Sequence, residues 1–182
     1  MRPLWFLQLR AASDGTVAAP VVRTQMLLRL HPIFREQPGR FAIALPPSPG
    51  SLRVFSHDRN ALTDLASSLG TLPWWRDYTA HEPVTAVSVD FAGPWVSYRR
   101  FRIPTLRSDR HVGSQHGQLR ARRLASATSR RLDYFVVQSR STGQRFALTV
   151  ERFPEVSGEC VFAPNSYGLS SSASPLALPD LP

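Results

Sequence analysis

The sequence contains no lysine and a single cysteine, Cys160. One cysteine excludes an intrachain disulfide and a cage of several thiolates around a metal ion. No apolar run approaches the length that crosses a membrane, and the short apolar patch Leu4–Leu7 is smaller than the apolar region of a secretory signal. We therefore expect a protein of the cytoplasm that does not enter a membrane.

Several catalytic signatures are also missing. No spacing of histidines, cysteines and carboxylates indicates a zinc site, and no carboxylate cluster indicates bound Mg²⁺. The sequence has neither a phosphate-binding glycine loop nor a nucleophile-elbow serine. We therefore expect no metal and no cofactor, so that a nuclease built on this chain would have to work without a metal ion.

Positive charge is concentrated in one segment. The formal net charge is +9, and all 22 basic residues are arginine. Residues 99–152 hold 13 of these arginines and only three acids, which gives the segment +10 and leaves −1 for the remainder. A solvated face normally mixes both signs, so this segment indicates a polyanionic partner such as a nucleic acid. The candidate RNA-binding residues are Arg99, Arg100, Arg102, Arg107, Arg110, Arg120, Arg122, Arg123, Arg130, Arg131, Arg140, Arg145 and Phe146.

Hydrophobic periodicity in the first half predicts the order β-α-β-β-α-β, which is the ferredoxin-like pattern. Pro32 should kink or end the first helix near His31. Either Ser56 or Asp58 would cap the second helix, which Gly70 ends. The predicted strands are Leu4–Arg10, Phe41–Leu45, Leu52–Phe55 and Thr85–Asp90, and the predicted helices are Val17–Phe34 and a second one ending at about Leu69.

The second half begins near Ala92–Pro94, and we expect two domains, 1–93 and 94–182. The fold class is α+β, with an N-terminal ferredoxin-like (RRM-like) domain followed by a smaller α+β domain that carries an arginine-rich helix. The tail from Ser170 is rich in serine, proline and leucine, so we expect partial disorder at its end. The predicted elements of the second half are strands Trp95–Arg102, Tyr134–Ser139 and Arg145–Arg152, the polar loop Ser108–Gly117 and the helix Gln118–Leu132.

The strongest local signal is the segment Ser139–Phe146, which packs hydroxyls, a glycine turn, basic side chains and an aromatic into eight residues. Serine, threonine and glycine are common turn residues, so one interpretation is an ordinary β-hairpin. The other is that hydroxyls and backbone N–H groups hold a phosphate or ribose while Phe146 stacks on a base.

Among the five histidines, His31 follows an apolar helical run, where a structural role is common, whereas His111 and His116 lie in the polar loop.

RNA can be cleaved without metal when its own 2′-hydroxyl attacks the adjacent phosphorus. The protein must then supply a base, and a histidine side chain has an unperturbed pKa of about 6.5. It must also align the 2′-hydroxyl and stabilise the developing charge. His31, Ser139, Ser141, an arginine and Tyr167 would suffice if they converge.

The run from Phe135 to Phe146, with its S-x-S-T-G-Q-x-F pattern, and the later Ser166-Tyr-Gly-Leu-Ser170 resemble the repeat-processing endoribonuclease of type I-F CRISPR systems. Leu28-Arg-Leu-His31 is similar to the first helix of that family, and Val96-Ser-Tyr-Arg-Arg100 to the start of its RNA-binding half. The motifs follow the family's order over most of the chain.

The resemblance implies cleavage at the 3′ base of a CRISPR repeat hairpin, with a 2′,3′-cyclic phosphate and a 5′-hydroxyl as products. It also implies that the protein stays bound to the crRNA beside the backbone subunits of a surveillance complex. His31 would be the general base, Ser139 would position the 2′-hydroxyl, Ser141 would be a second active-site serine, and Tyr167 would lie near the scissile phosphate. Phe146 would stack at the foot of the stem.

By the same resemblance, Arg100 and Arg102 would hydrogen-bond a base near the cut. The family often has glutamine where this chain has Arg102, and arginine pairs bidentately with guanine.

Two alternatives stay open: a hairpin-binding subunit that has lost cleavage, and an unrelated basic ferredoxin-like RNA-binding protein. Possession of His31, Ser139, Ser141 and Tyr167 together favours the enzyme.

Overall fold

The fold is taken from a computed structural model, which describes residues 2–12, 17–104, 113–138, 143–171 and 175–182, with only the backbone described for 113–116. Two antiparallel sheets and four helices make up the described part of the chain, so the predicted α+β class is confirmed. The helices are α1 (Ala19–Glu36), α2 (Arg59–Gly70), α3 (Pro73–Tyr78) and α4 (Gly113–Ser129). The strands are β1 (Trp5–Ala11), β2 (Ala42–Ala44), β3 (Ser51–Ser56), β4 (Thr79–His81), β5 (Thr85–Ala86), β6 (Trp95–Phe101), β7 (Asp133–Gln138), β8 (Arg145–Glu155) and β9 (Leu178–Pro179).

The first sheet has the order β2-β3-β1-β4, with β5 also paired to β1. Together with α1 and α2, which follow β1 and β3, this is the ferredoxin-like arrangement. The predicted fourth strand, Thr85–Asp90, is wrong in most of its length, because only Thr85 and Ala86 pair with β1. The end of the sheet next to β1 is instead occupied by Thr79–His81. This strand directly follows the short helix α3, which periodicity did not predict.

Helix α1 continues through Pro32 and ends at Glu36. Of the two predicted effects of Pro32, a kink or an end of the helix near His31, the end is therefore wrong. Proline has no N–H to donate to the carbonyl four residues earlier, which normally kinks or breaks a helix. The apolar stripe continues past it, however, and Leu30 and Phe34 are both buried, at 0% and 2% exposure. Burial on both sides of the proline offsets the missing hydrogen bond.

Helix α2 begins at a side-chain cap. The Asn60 N–H donates to Asp58 Oδ1 at 2.9 Å, and the Arg40 guanidinium donates to Asp58 Oδ2 at 2.8 Å. The hydrogen bond from Arg40 and those from the backbone lower the pKa of Asp58. Of the two predicted caps, Asp58 is therefore the one that fills the position, while Ser56 Oγ accepts from the Asp58 N–H.

The second sheet has the order β7-β8-β6-β9. Phe135 and Val137 of β7 are buried and alternate with the exposed Tyr134 and Val136, as expected of a strand with one covered face. Helix α4 begins at Gly113, so the end of the predicted loop Ser108–Gly117 is helical. Arg131, with φ 49°, follows the last turn of this helix, and the Leu132 N–H donates to the Ala127 carbonyl at 3.0 Å.

Residues 175–182 are ordered, contrary to the expectation of a disordered end. Leu176, Ala177 and Leu178 are buried, and β9 pairs with β6. The Arg53 guanidinium donates to the carbonyls of Leu181 and Pro182 at 2.9 and 2.7 Å. Apolar burial and main-chain pairing therefore outweigh the serine- and proline-rich composition.

The chain separates into two compact units: a larger one of Met1–Tyr98 with Arg152–Pro182, and a smaller one of Arg99–Glu151. Compactness does not show which segments fold independently, so the division into domains at 1–93 and 94–182 stays a prediction. Across the described segments, no helix combines the length and apolar character that a membrane span requires.

Candidate active site and RNA interface

His31 lies near the end of α1 in the larger unit, half-buried. Its Nδ1 is 2.7 Å from the Ser166 carbonyl oxygen, an atom that can only accept a hydrogen bond. The neutral imidazole must therefore carry its proton on Nδ1, which leaves Nε2 as the acceptor. A general base needs an unprotonated nitrogen, and this tautomer places it on the side of the ring away from the anchoring bond.

Tyr167 covers the imidazole of His31. The two rings are stacked with their centroids 4.0 Å apart and an interplanar angle of 4°. The stack and the bond to Ser166 constrain the imidazole in two directions, because one fixes the ring plane and the other fixes its rotation within that plane. The structure thus brings together two of the four predicted catalytic residues.

The loop 165–169 that carries Tyr167 is held by the larger unit's own backbone. The Ile43 N–H of β2 donates to the Gly168 carbonyl at 2.8 Å. Gly168 has φ +74°, and a Cβ added there would lie 3.0 Å from side-chain atoms of both Ile43 and Phe34. Only glycine combines this backbone conformation with so close an approach. The glycine of the Y-G-L-S motif is therefore needed for the structure of the loop.

The same motif ends in buried residues. Leu169 is 1% exposed and Ser170 is 4% exposed. The Ser170 N–H donates to the Tyr98 carbonyl, and Ser170 Oγ accepts from the Leu176 N–H, both at 2.8 Å. The last two residues of the motif thus hold the loop in place, while its first residue, Tyr167, stacks on the histidine.

The other predicted catalytic residues, Ser139 and Ser141, lie outside the described residues. Of the two histidines of the predicted polar loop, His111 also lies outside the described residues, and only the backbone of His116 is described. His57 lies in the larger unit against Phe162, with ring centroids 4.3 Å apart. Burial lowers the pKa of His57, which disfavours its charged form.

The described RNA-binding candidates all belong to the smaller unit. Arg99 and Arg120 are half-buried, as is Phe146. The exposed ones are Arg100, Arg102, Arg122, Arg123, Arg130, Arg131 and Arg145. Three further candidates, Arg107, Arg110 and Arg140, lie outside the described residues.

A cavity of about 190 Å³ opens in the smaller unit, lined by Arg100, Arg120, Arg145, Phe146 and a few aliphatic side chains. This is far more than the 10–15 Å³ or so that a single water needs. The Arg100 guanidinium lies 5.5 Å from the Phe146 ring centroid. Nε of Arg120 is buried, and within the described segments no acceptor lies within its reach. The lining of the cavity thus includes three cations and an aromatic ring.

The arginines of the smaller unit differ in whether a carboxylate pairs with them. Arg130 forms an ion pair with Glu151 and lies over the ring of Phe101. Within the part of the chain that the structure describes, no carboxylate pairs with Arg100, Arg120 or Arg123. Positive charge without a protein counter-charge is available to phosphates.

Sequence reasoning missed two contributors to the site. Ser166 acts through its main-chain carbonyl, and Asn165 through hydrogen bonds to the loop's own backbone. A main-chain carbonyl leaves no signal in residue identity. An asparagine three residues before a glycine is a turn signal that could have been found.

In the described residues, no group of three or more His, Cys, Asp or Glu side chains is placed to hold a metal ion. A comparison with curated protein sequences found no match. A family model described as CRISPR-associated protein (Cas_Csy4) matches residues 6–179, which is nearly the whole chain.

Proposed function

Because the chain belongs to the Cas_Csy4 family of CRISPR repeat-processing endoribonucleases, we propose that it cuts precursor RNA at the 3′ base of the repeat hairpin without a metal ion. The observation that carries this proposal is the arrangement of His31. Its Nδ1 bonds to the Ser166 carbonyl at 2.7 Å and its ring stacks on Tyr167, so that Nε2 is left as a proton acceptor.

In the proposed reaction, Nε2 of His31 takes the proton of the 2′-hydroxyl beside the cut. The 2′-oxygen then bonds to phosphorus, the bond from phosphorus to the 5′-oxygen breaks, and the departing oxygen takes up a proton from solvent water. His31 then returns its proton to the solvent. The products are a 2′,3′-cyclic phosphate and a 5′-hydroxyl. The RNA supplies the nucleophile, so the protein needs only a base, alignment and charge stabilisation.

Alignment of the 2′-hydroxyl is assigned to Ser139, with Ser141 as a second active-site serine, on the resemblance of the surrounding S-x-S-T-G-Q-x-F run. Tyr167 would lie beside the scissile phosphate as well as on the imidazole. An arginine of the segment 99–152 would stabilise the charge that develops on the phosphorane.

RNA binding is assigned to the arginines and to Phe146. Proteins read RNA mainly where bases are exposed, as at the ends of stems, and there aromatic rings stack on them. The cavity lined by Arg100, Arg120 and Phe146 has the chemistry to take such a base. Arg102 would read a base near the cut and would favour guanine, to which arginine donates two hydrogen bonds.

We further propose that the protein stays on the cut hairpin. Cleavage beside the stem leaves the stem phosphates in place, so the arginine contacts that provide affinity remain after the reaction. Retention fits a subunit that carries the crRNA hairpin in a type I-F-like complex with backbone subunits in the cytoplasm.

The test is His31→Ala with a synthetic RNA of the CRISPR repeat from the same genome, in EDTA. The cleavage rate should fall by about 10²-fold or more, because a positioned base contributes at least that much. Affinity for the hairpin should change no more than a few-fold, because it comes from the arginines. Ser139→Ala should likewise slow cleavage and leave binding intact.

The matched control is His81→Ala, which removes an exposed histidine of the same unit. It should cut like the wild type. A well-folded His31→Ala that also cuts like the wild type would remove His31 from the site. Loss of wild-type activity in EDTA that Mg²⁺ restores would contradict the metal-free mechanism.

A further inference from the structure

We propose that Asn165 is a positioning residue for the general base: its side-chain carbonyl holds the loop whose Ser166 carbonyl fixes the tautomer of His31. The inference rests on the proposed function, since it takes His31 as the base. Asn165 itself touches neither the imidazole nor the reacting atoms in this assignment, and it acts through the backbone on either side of Ser166.

Asn165 makes four hydrogen bonds inside the loop 165–169. Its Oδ1 accepts from the Tyr167 N–H at 2.8 Å and from the Leu169 N–H at 3.2 Å. Its own N–H donates to the Leu169 carbonyl at 2.9 Å, and its carbonyl accepts from the Gly168 N–H at 2.8 Å. The side chain therefore occupies the centre of the loop and takes the amide donors of two residues that follow Ser166.

The consequence for His31 concerns which nitrogen carries the proton. A neutral imidazole has two tautomers, and only the one protonated on Nδ1 leaves Nε2 able to accept. The Ser166 carbonyl selects that tautomer at 2.7 Å from Nδ1, and Tyr167, the next residue, sets the ring plane. Both constraints come from two adjacent residues of one short loop, so the geometry of that loop decides the state of the base.

The side chain of Asn165 is the part of this loop that substitution can change without disturbing the core. Asn165 is exposed, so its truncation leaves no cavity. The main-chain bonds of the loop would remain, including that from the Ile43 N–H to the Gly168 carbonyl at 2.8 Å. The amides of Tyr167 and Leu169 would lose their acceptor, and the Ser166 carbonyl between Asn165 and these amides would lose its fixed direction.

The experiment has two readouts on Asn165→Ala, Asn165→Asp and the control Asp58→Ala. The first is the ¹⁵N spectrum of the His31 imidazole in the RNA-free protein, which distinguishes the tautomers. The second is single-turnover cleavage of the synthetic repeat hairpin in EDTA. Asp58 is a fair control because its side chain also accepts a backbone N–H, from Asn60 at 2.9 Å, at a site that carries no part of the proposed chemistry.

In Asn165→Ala, the Nδ1-protonated form should no longer dominate, and the cleavage rate should fall by roughly 10-fold or more, as small misplacements of reacting groups do. Hairpin affinity should stay within a few-fold of the wild type. Asn165→Asp should restore both the tautomer and most of the rate, because a carboxylate oxygen accepts the same two N–H groups. Asp58→Ala should change neither readout.

An Asn165→Ala protein with the wild-type tautomer and rate would overturn the inference. A folded Asn165→Asp protein that fails as badly as Asn165→Ala would also overturn it, because an accepting oxygen would then not be what matters. Failure of the wild type to cut the hairpin would instead contradict the proposed function, whatever the tautomer shows.

Discussion

At the scale of single residues, the proposed base is a histidine that is neither fully exposed to solvent nor part of the core. His31 is half-buried, with one ring nitrogen bonded to the Ser166 carbonyl and one ring face on Tyr167. Its neighbours on α1, Leu30 and Phe34, are buried and fix the helix beneath it. A structural role and a chemical role of His31 are therefore compatible, because the contacts that hold the ring in place also determine which of its nitrogens carries the proton.

Substitutions can separate the contribution of the Tyr167 ring from that of its hydroxyl. Tyr167→Phe keeps the ring and should keep the stack on His31, whereas Tyr167→Leu removes it. Aromatic pairs contribute about 0.5–1.5 kcal/mol beyond their buried area, so Leu should slow cleavage by roughly 2- to 10-fold if the stack only orients the base. The measurement is the single-turnover rate. A larger loss in Tyr167→Phe than in Tyr167→Leu would assign the role to the hydroxyl.

Gly168→Ala tests the close approach of the loop to β2. It should lower the free energy of unfolding by about 1–2 kcal/mol for the left-handed backbone alone, and by more because its Cβ meets Ile43 and Phe34 at 3.0 Å. Gly39→Ala is the matched control, because Gly39 has φ +76° with nothing within 4 Å of a Cβ. Denaturant unfolding should show the greater loss for Gly168→Ala, and equal losses would contradict the packing argument.

At the scale of elements, hydrophobic periodicity predicts most of the helices and strands correctly, but it predicts some of their boundaries wrongly. Local rules predict that Pro32 kinks or ends α1, yet the helix continues to Glu36, with Phe34 buried beyond the proline. Local propensity carries no information about the packing that overrules it. Similarly, alternation predicts the fourth strand at Thr85–Asp90, whereas Thr79–His81, which follows the unpredicted α3, pairs with β1 over three residues.

Helix α4 gives the prediction at this scale. Replacing Arg120, Arg122 and Arg123 together by Ala should weaken hairpin binding strongly, because the helix loses charges that no carboxylate in the described segments neutralises. At saturating protein, the single-turnover cleavage rate of the triple variant should fall by a smaller factor than its affinity for the hairpin. The measurement is titration of labelled hairpin, followed by single-turnover cleavage at saturation.

Arg40, Arg59 and Arg76 together provide the matched control, since their replacement by Ala removes the same charge from the other unit. That variant should lose far less affinity. Equal losses in the two triple variants would mean that net charge alone, and not the helix, binds the RNA.

At the scale of the whole molecule, the charge distribution and the ordered set of motifs were the most informative parts of the sequence. They gave the family, which the match over residues 6–179 confirms, and this removes the alternative of an unrelated RNA-binding protein. The contacts of His31 with Ser166 and Tyr167 could be seen only in the folded structure, because Ser166 is 135 residues away from His31 in the sequence. Spacing in a sequence cannot show that kind of convergence.

The concentration of positive charge predicts a steep salt dependence for the whole complex. Each phosphate contact contributes about 0.7–0.9 to the slope of log K against log salt, and at least about four contacts are expected from the segment 99–152. The affinity for the hairpin should therefore fall with a slope of roughly 3 or more. A slope near zero would contradict the role assigned to these arginines.

The central claim is that the RNA supplies its own nucleophile, and the most direct measurement replaces that nucleophile. The wild-type protein is incubated in EDTA with two hairpins that are identical except for a 2′-deoxy sugar on the 5′ side of the scissile phosphate. The all-ribose hairpin should be cut to a 2′,3′-cyclic phosphate and a 5′-hydroxyl, while the deoxy hairpin should bind with similar affinity and remain whole. Cleavage of the deoxy hairpin at the same position would contradict attack by the 2′-hydroxyl and, with it, the role of His31 as its base.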